Sequence, residues 1–181
     1  MVIYFAVTKI INLLTSGNNV RAGLEMALID AVATSIGFST LKPKVGKNLN
    51  ADIEVLKAIR VAHPECSFML DANDGYTSSE AIKVLDRLHE MGVTILFEQP
   101  VHRDDWESLG HVTQVAKQKY GISVAADESC RSLSDVEKII EGNLVDVINI
   151  KLAKIGVLGA LEIINGCSPN NKTFPLLLFT G

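Results

Sequence analysis

A regular alternation of short apolar strands and amphipathic helices occupies most of this sequence of 181 residues. The strands read FSTLKPKV, SFMLDAN, TILFEQP, ISVAADES and VDVINIKLAK, and an amphipathic stretch of helical length separates each from the next. This order is typical of parallel β-α-β units, because a parallel strand needs a crossover to return to the same end of the sheet. The pattern predicts an α/β fold with one parallel sheet of about five strands.

Local signals support the predicted helix ends. Hydroxyl or acidic side chains stand at the expected helix starts, namely Ser78 and Ser79, Asp104 and Asp105, and Ser134. Such side chains accept hydrogen bonds from the free N–H groups of a first turn. A glycine follows several of the predicted helices, where the backbone has to leave the helical conformation.

The chain divides into four segments. Residues 19–37 place apolar side chains at helical spacing and predict a helix that precedes the strands. Residues 38–165 carry the strands and helices, whereas residues 1–18 and 166–181 follow neither pattern. The last segment is rich in turn residues, and its apolar end after Pro175 is expected either to pack as an edge strand or to stay loose.

The net charge and composition of the chain limit the kinds of partner that it can bind. A net charge of -4 provides no basic surface for nucleic acid. The apolar N-terminal run is interrupted by Lys9 and is shorter than the roughly 20 residues that span a bilayer. The three cysteines have no metal-ligand or CxxC spacing, which suits reduced thiols. We therefore expect a cytoplasmic protein that binds neither nucleic acid nor membranes.

Every predicted strand ends with an ionisable side chain. In chain order these are Lys42 and Lys44, Asp71, Glu98, Asp127 with Glu128, and Lys151. From Lys44 to Lys151 the intervals are 27, 27, 29 and 24 residues, each close to one β-α unit. One such residue alone is usually a helix cap or a solvated group at the rim. Because the carboxyl ends of parallel strands meet at one end of the sheet, the repeated pattern predicts a shared site there.

The residue types at this end of the sheet indicate metal-assisted acid–base chemistry. Carboxylates at Asp71, Glu98 and Asp127 would repel one another, and a divalent cation would relieve that repulsion. A set of oxygen ligands without histidine or cysteine suits Mg²⁺. Lysines beside a cation are expected to have a lowered pKa and to act as bases. The predicted reaction is removal of a proton from the carbon next to a carboxylate.

The motifs KPKVG, LDAN, FEQP, AADES and NIKLAK, in this order, resemble the enolase superfamily. Within it they resemble the mandelate racemase and muconate-lactonizing branch, and most of all the L-Ala-D/L-Glu (dipeptide) epimerases. The resemblance implies a (β/α) TIM-type barrel, a racemase or epimerase activity and one Mg²⁺ per site. Its substrate would be a small molecule with a carboxylate, such as a dipeptide.

The resemblance also implies a role for each residue at the strand ends. Asp71, Glu98 and Asp127 correspond to the three metal ligands. Lys44 corresponds to the base on one face of the substrate, with Lys42 as its electrostatic neighbour. Lys151 corresponds to the lysine on the opposite face, which returns the proton.

Several parts of the family pattern are missing. Almost nothing precedes residue 19 where family members have an α+β capping domain, and one strand and helix of the barrel are absent before KPK. The last barrel strands are also absent, and a complete barrel takes about 250 residues. We therefore expect a partial, truncated barrel. The alternative is a catalytically inert metal-binding fragment or isoform that associates with full-length copies. Lactonisation or dehydration would use the same metal and lysines.

Overall fold

The strands lie side by side in the order in which they occur in the chain. The computed structural model describes residues 40–92, 94–166 and 175–179. Within them, one parallel sheet has the order β1-β2-β3-β4-β5-β6. The strands are Thr40–Leu41 (β1), Ser67–Asp71 (β2), Thr94–Glu98 (β3), Ser123–Ala126 (β4), Val147–Lys151 (β5) and Leu176–Phe179 (β6). The predicted partial barrel of parallel strands is confirmed, and the apolar end of the tail adds the edge strand β6.

Helices connect the strands. They are Leu49–Ala62 (α1), Ser78–Met91 (α2), Trp106–Val115 (α3), Leu133–Gly142 (α4) and Leu152–Gly166 (α5), and α3 continues into a π-helical turn at Ala116–Tyr120. As predicted, Asp105 caps α3, accepting a hydrogen bond from the N–H of Ser108. The predicted caps at Ser78 and Ser134 are wrong by one and two residues, because Thr77 and Ser132 lie just outside the first turns and accept the capping hydrogen bonds.

Some predictions fall outside the described residues. The segment 1–18 and the helix over 19–37 are among them, so the four segment boundaries stay predictions. In the described ranges, no helix has the length and apolar character needed to cross a bilayer. Cys66 and Cys130 are buried there and are not joined in a disulfide.

The core lies between the sheet and the helices. Phe68, Leu70, Phe97, Val124 and Ile148 are fully buried and pack in one cluster with apolar side chains of all five helices. Because successive side chains of a strand point to opposite faces, the residues between these core positions point away from the helices. That second face carries the ionisable strand ends, so the alternation that builds the core also places the site.

The loop after Lys44 is fastened to helix α1 by one carboxylate. Asp52 Oδ2 accepts hydrogen bonds from the Gly46 N–H at 2.9 Å and from the Tyr76 hydroxyl at 2.6 Å. Gly46 has a φ of 98°, and a Cβ there would lie 2.1 Å from the Ala72 carbonyl oxygen. Only glycine fits this turn, so the path of the main chain directly after Lys44 is fixed.

The buried Tyr76 hydroxyl is expected to make the stability of the fold depend on pH. Burial raises the pKa of Tyr76, and the hydrogen bond to Asp52 raises it further. The phenolate therefore forms more readily in the unfolded chain, and stability should fall as the pH rises above about 10. We expect Tyr76→Phe to cost about 1.5 to 3 kcal/mol near pH 8 and the gap from the wild type to narrow above pH 10. Urea unfolding between pH 8 and 11 measures this, and a gap that stays constant would contradict it.

Candidate active site

Neighbouring strands bring the predicted carboxylates to one end of the sheet. Lys44 forms a bridge with Asp71, and Asp71 is the register partner of Glu98 on β3. Glu98 in turn pairs with Ala125 on β4, and Asp127 follows two residues later on the same face. The strand-end side chains expected to converge thus lie on one face and at one end of adjacent strands.

Asp71 and Glu98 share a lysine. The Lys42 ammonium lies 3.4 Å from Asp71 Oδ2 and 2.5 Å from Glu98 Oε2. Both carboxylates are buried, whereas the Lys42 side chain is 36% exposed. Lys44 reaches the same Asp71 oxygen at 3.0 Å and also donates to Asn73 Oδ1 at 3.1 Å. Two lysines therefore supply the positive charge that two adjacent buried acids require.

A side chain from β5 reaches the remaining oxygen of Glu98. Asn149 Nδ2 donates to Glu98 Oε1 at 2.8 Å, across the position of the small Ala125 on the strand between them. Asn149 Oδ1 is buried and has no hydrogen-bond partner in the described part of the chain. Burial raises the pKa of Glu98, and the charge of Asp71 raises it further against the opposing effect of Lys42. The sequence reasoning missed Asn149, although it stands two residues before Lys151.

Asp127 forms a second cluster with two other lysines. Lys151 contacts Asp127 Oδ2 closely, and Lys154 donates to Oδ1 at 2.8 Å. Although burial favours the protonated acid, these two lysines hold the pKa of Asp127 below its ordinary value. The predicted Lys151 is therefore at the site. Lys154, in the first turn of α5, was missed, and its signal was its place three residues after Lys151 in the motif NIKLAK.

Neighbouring carboxylates shift the pKa values of Lys42 and Lys151. Burial favours the neutral amine in both, but the pKa of Lys42 is raised by Glu98 and Asp71. That of Lys151 is raised by Asp127, with smaller contributions from Glu128 and Glu98. The lowering expected for lysines beside a bound cation stays a prediction.

The donor set suits a hard divalent cation, although the acids do not form a finished metal cluster. Asp71, Glu98 and Asp127 offer only oxygen ligands, and Asn149 adds an unpaired buried oxygen. Each acid is already balanced by ammonium groups, which shows that this face needs positive charge. No three histidine, cysteine or acidic side chains of the described residues lie close enough together to hold a metal ion. The chemistry of the residues therefore fits Mg²⁺, whereas their pairing with lysines keeps the acids in two groups.

Comparisons with known proteins place this arrangement in a family. The L-Ala-D/L-amino acid epimerase of Populus trichocarpa is 60% identical over 186 aligned positions, which cover 81% of this chain and 44% of that protein. The L-Ala-D/L-Glu epimerase of Thermotoga maritima is 40% identical over 71% of this chain and 36% of its own length. A dipeptide epimerase of Enterococcus faecalis, solved in complex with Mg and the dipeptide L-Leu-L-Tyr, superposes with a TM-score of 0.74 at 36% identity.

The chain is much shorter than these relatives. The superposition on the Enterococcus faecalis protein covers 88% of this chain but 42% of that protein. The alignment with the poplar protein is longer than this whole chain of 181 residues, so it includes positions that this chain lacks. Residues 26–174 match the family described as enolase C-terminal domain-like, and that range contains every predicted site residue. The chain belongs to the enolase C-terminal domain-like family, in the branch that contains the dipeptide epimerases.

Proposed function

We propose that this chain carries the proton-transfer site of a Mg²⁺-dependent dipeptide epimerase. The observation that supports this most is the pairing of three buried strand-end carboxylates with lysines from the first and fifth strands. The relatives named above are an L-Ala-D/L-amino acid epimerase, an L-Ala-D/L-Glu epimerase and a dipeptide epimerase, and they share 36% to 60% identity with this chain. A carboxylate-bearing dipeptide is therefore the proposed substrate.

Asp71, Glu98 and Asp127 would hold the Mg²⁺ ion. When bound, the ion would balance the three carboxylates and stabilise the negative charge that develops on the substrate carboxylate during proton removal. Burial raises the pKa of Glu98, and the neighbouring charge of Asp71 raises it further, so a bound cation would favour its ionised form. Lys42 and Lys154 are proposed to balance the acids from the rim, each already contacting one or two of them.

Lys44 and Lys151 are proposed to move the proton. Lys44 follows β1 and Lys151 ends β5, so strands β2 to β4 lie between them in the sheet. In the structure Lys44 contacts Asp71 and Lys151 contacts Asp127. In the proposed reaction one lysine, as a neutral amine, takes the α-proton of the substrate, breaking the C–H bond. The other, as an ammonium, gives a proton to the same carbon from the opposite face. The substrate is thus neither oxidised nor reduced, and only its configuration changes.

The test is exchange of the dipeptide α-proton with solvent. L-Ala-L-Glu is incubated with the chain in deuterated water, and loss of the α-proton signal is followed by NMR. We expect exchange that depends on Mg²⁺ and stops when EDTA is added. Exchange that EDTA leaves unchanged, or none in Mg²⁺ with a correctly folded chain, would contradict the proposal.

A second candidate function is favoured by length. The chain spans less than half of the length of these relatives. The alternative proposal is therefore a metal-binding fragment that associates with a longer member of the same family. In that case the purified chain would show no exchange, yet it would bind Mg²⁺ and co-elute with a full-length dipeptide epimerase in size-exclusion chromatography. A stable monomer that catalyses exchange alone would contradict this second candidate.

A further inference from the structure

Gln99, the residue after the proposed metal ligand Glu98, occupies an unusual position between three strand ends. It is completely buried, and its φ of 38° lies in the left-handed region that non-glycine residues seldom adopt. Its N–H continues the ladder by donating to the Ala125 carbonyl at 2.8 Å. Its main-chain carbonyl turns towards the loop after β2 and accepts from the Asp74 N–H at 3.2 Å.

The side-chain amide of Gln99 uses its full bonding capacity on the neighbouring loops. Oε1 accepts from the main-chain N–H groups of Asp127 at 3.0 Å and Ser129 at 3.1 Å. Nε2 donates to the Val101 carbonyl at 3.0 Å and to Ser129 Oγ at 2.8 Å. An amide offers two acceptor and two donor positions, and all four are filled here. The two N–H donors also fix which end of the amide carries the oxygen.

This arrangement replaces a missing ladder bond. In a regular parallel ladder, a strand residue whose N–H donates to Ala125 would accept at its own carbonyl from the N–H of Asp127. Because the carbonyl of Gln99 points to Asp74, its side-chain oxygen accepts that bond instead. The left-handed turn thus lets the Gln99 carbonyl accept from the loop after β2, while the Gln99 side chain still accepts from the start of the loop after β4.

We propose that Gln99 is a positioning residue that fixes Asp127 relative to Glu98 so that both carboxylates can share one cation. This inference rests on the proposed function. Gln99 is covalently attached to Glu98 and hydrogen-bonded to the main chain of Asp127, so its amide sets the separation of two proposed ligands on adjacent strands. Without the amide, Asp127 and Ser129 would each lose the acceptor of a buried N–H, and the loop after β4 would move to find water.

The test compares Mn²⁺ affinity in folded variants, with electron paramagnetic resonance of free Mn²⁺ as the readout. Gln99→Met keeps the length of the side chain but removes all four hydrogen bonds. We expect it to weaken Mn²⁺ binding by about 10- to 100-fold, the range found when partners behind metal ligands are lost. Gln99→Glu keeps an oxygen acceptor for both N–H groups but loses the amide donors to Val101 and Ser129, so it should recover part of the affinity. Thr113→Val, which removes a buried hydroxyl bonded to Leu109 within α3, is the matched control and should bind as the wild type does.

The outcomes separate this inference from the proposed function. A wild-type chain that binds no Mn²⁺ overturns the proposed function. Binding by the wild type that Gln99→Met leaves unchanged overturns the role of Gln99 alone, because a merely structural role would lower stability and not the affinity of the folded chain. If Gln99→Met does not fold, amide hydrogen exchange of the wild type decides. Slow exchange at Asp127 and Ser129 supports the inference, and exchange as fast as in exposed loops overturns it.

Discussion

Replacing Lys151 with alanine is expected to slow epimerisation of L-Ala-L-Glu by about 10²- to 10⁴-fold, the usual contribution of a positioned acid or base. The reason is that Lys151 is one of the two amines proposed to reach the α-carbon. It comes from the end of β5 and contacts the buried carboxylate of Asp127. Formation of L-Ala-D-Glu is measured by NMR with saturating Mg²⁺.

A lysine that pairs with the residue before the start of β5 provides the control for this variant. Lys117 pairs with Asp146, just before β5 begins, with 2.7 Å between Nζ and Oδ1. Lys117→Ala therefore removes a lysine–aspartate pair without touching the strand ends, and we expect epimerisation to be unchanged. Epimerisation at the wild-type rate by a folded Lys151→Ala chain would rule out the proposed role of Lys151.

Lys42→Met is expected to destabilise the chain and to make its stability depend strongly on Mg²⁺. Lys42 is the ammonium shared by the buried carboxylates of Asp71 and Glu98. Removing one partner of a buried ion pair costs about 3 to 5 kcal/mol. Because the Lys42 side chain is 36% exposed and Glu98 can take up a proton, we expect a smaller loss of about 2 to 3 kcal/mol. Urea unfolding in EDTA measures it.

Added Mg²⁺ should recover more stability in this variant than in the wild type. In the variant the proposed cation replaces the missing positive charge, whereas in the wild type Lys42 already supplies it. Lys57→Met is the matched control, because Lys57 pairs with the exposed Glu54 on α1 and its loss should change stability by less than about 0.5 kcal/mol. Equal gains from Mg²⁺ in both proteins would show that the cation and Lys42 do not share the same carboxylates.

The strand pattern and the strand-end residues could be predicted from the sequence because both depend on local periodicity. The intervals between Lys44, Asp71 and Glu98 equal one β-α unit, and parallel strands carry residues at such intervals to the same end of a sheet. Register then determined the finer arrangement. Asp71 lies directly opposite Glu98, whereas Asp127 follows two residues after the partner of Glu98. No spacing along the chain indicates that offset.

The residues that support the strand-end acids could not be predicted in the same way. Asn149 reaches Glu98 across an intervening strand, and Gln99 acts through a left-handed turn that its neighbours in sequence do not indicate. Lys154 reaches Asp127 only because α5 begins directly after β5. The raised pKa of Lys151 could not be predicted from the sequence either, because it depends on the contact that this lysine makes with Asp127.

Mn²⁺ titration of single alanine variants of Asp71, Glu98 and Asp127 measures whether these three carboxylates hold one cation together. In the structure lysines balance them in two groups, Asp71 with Glu98 in one and Asp127 in the other. We predict one Mn²⁺ site per wild-type chain and a loss of at least about 10-fold in affinity for each variant. A folded Asp127→Ala chain that binds Mn²⁺ as tightly as the wild type would show that the third acid belongs to a different site and would contradict a shared cation.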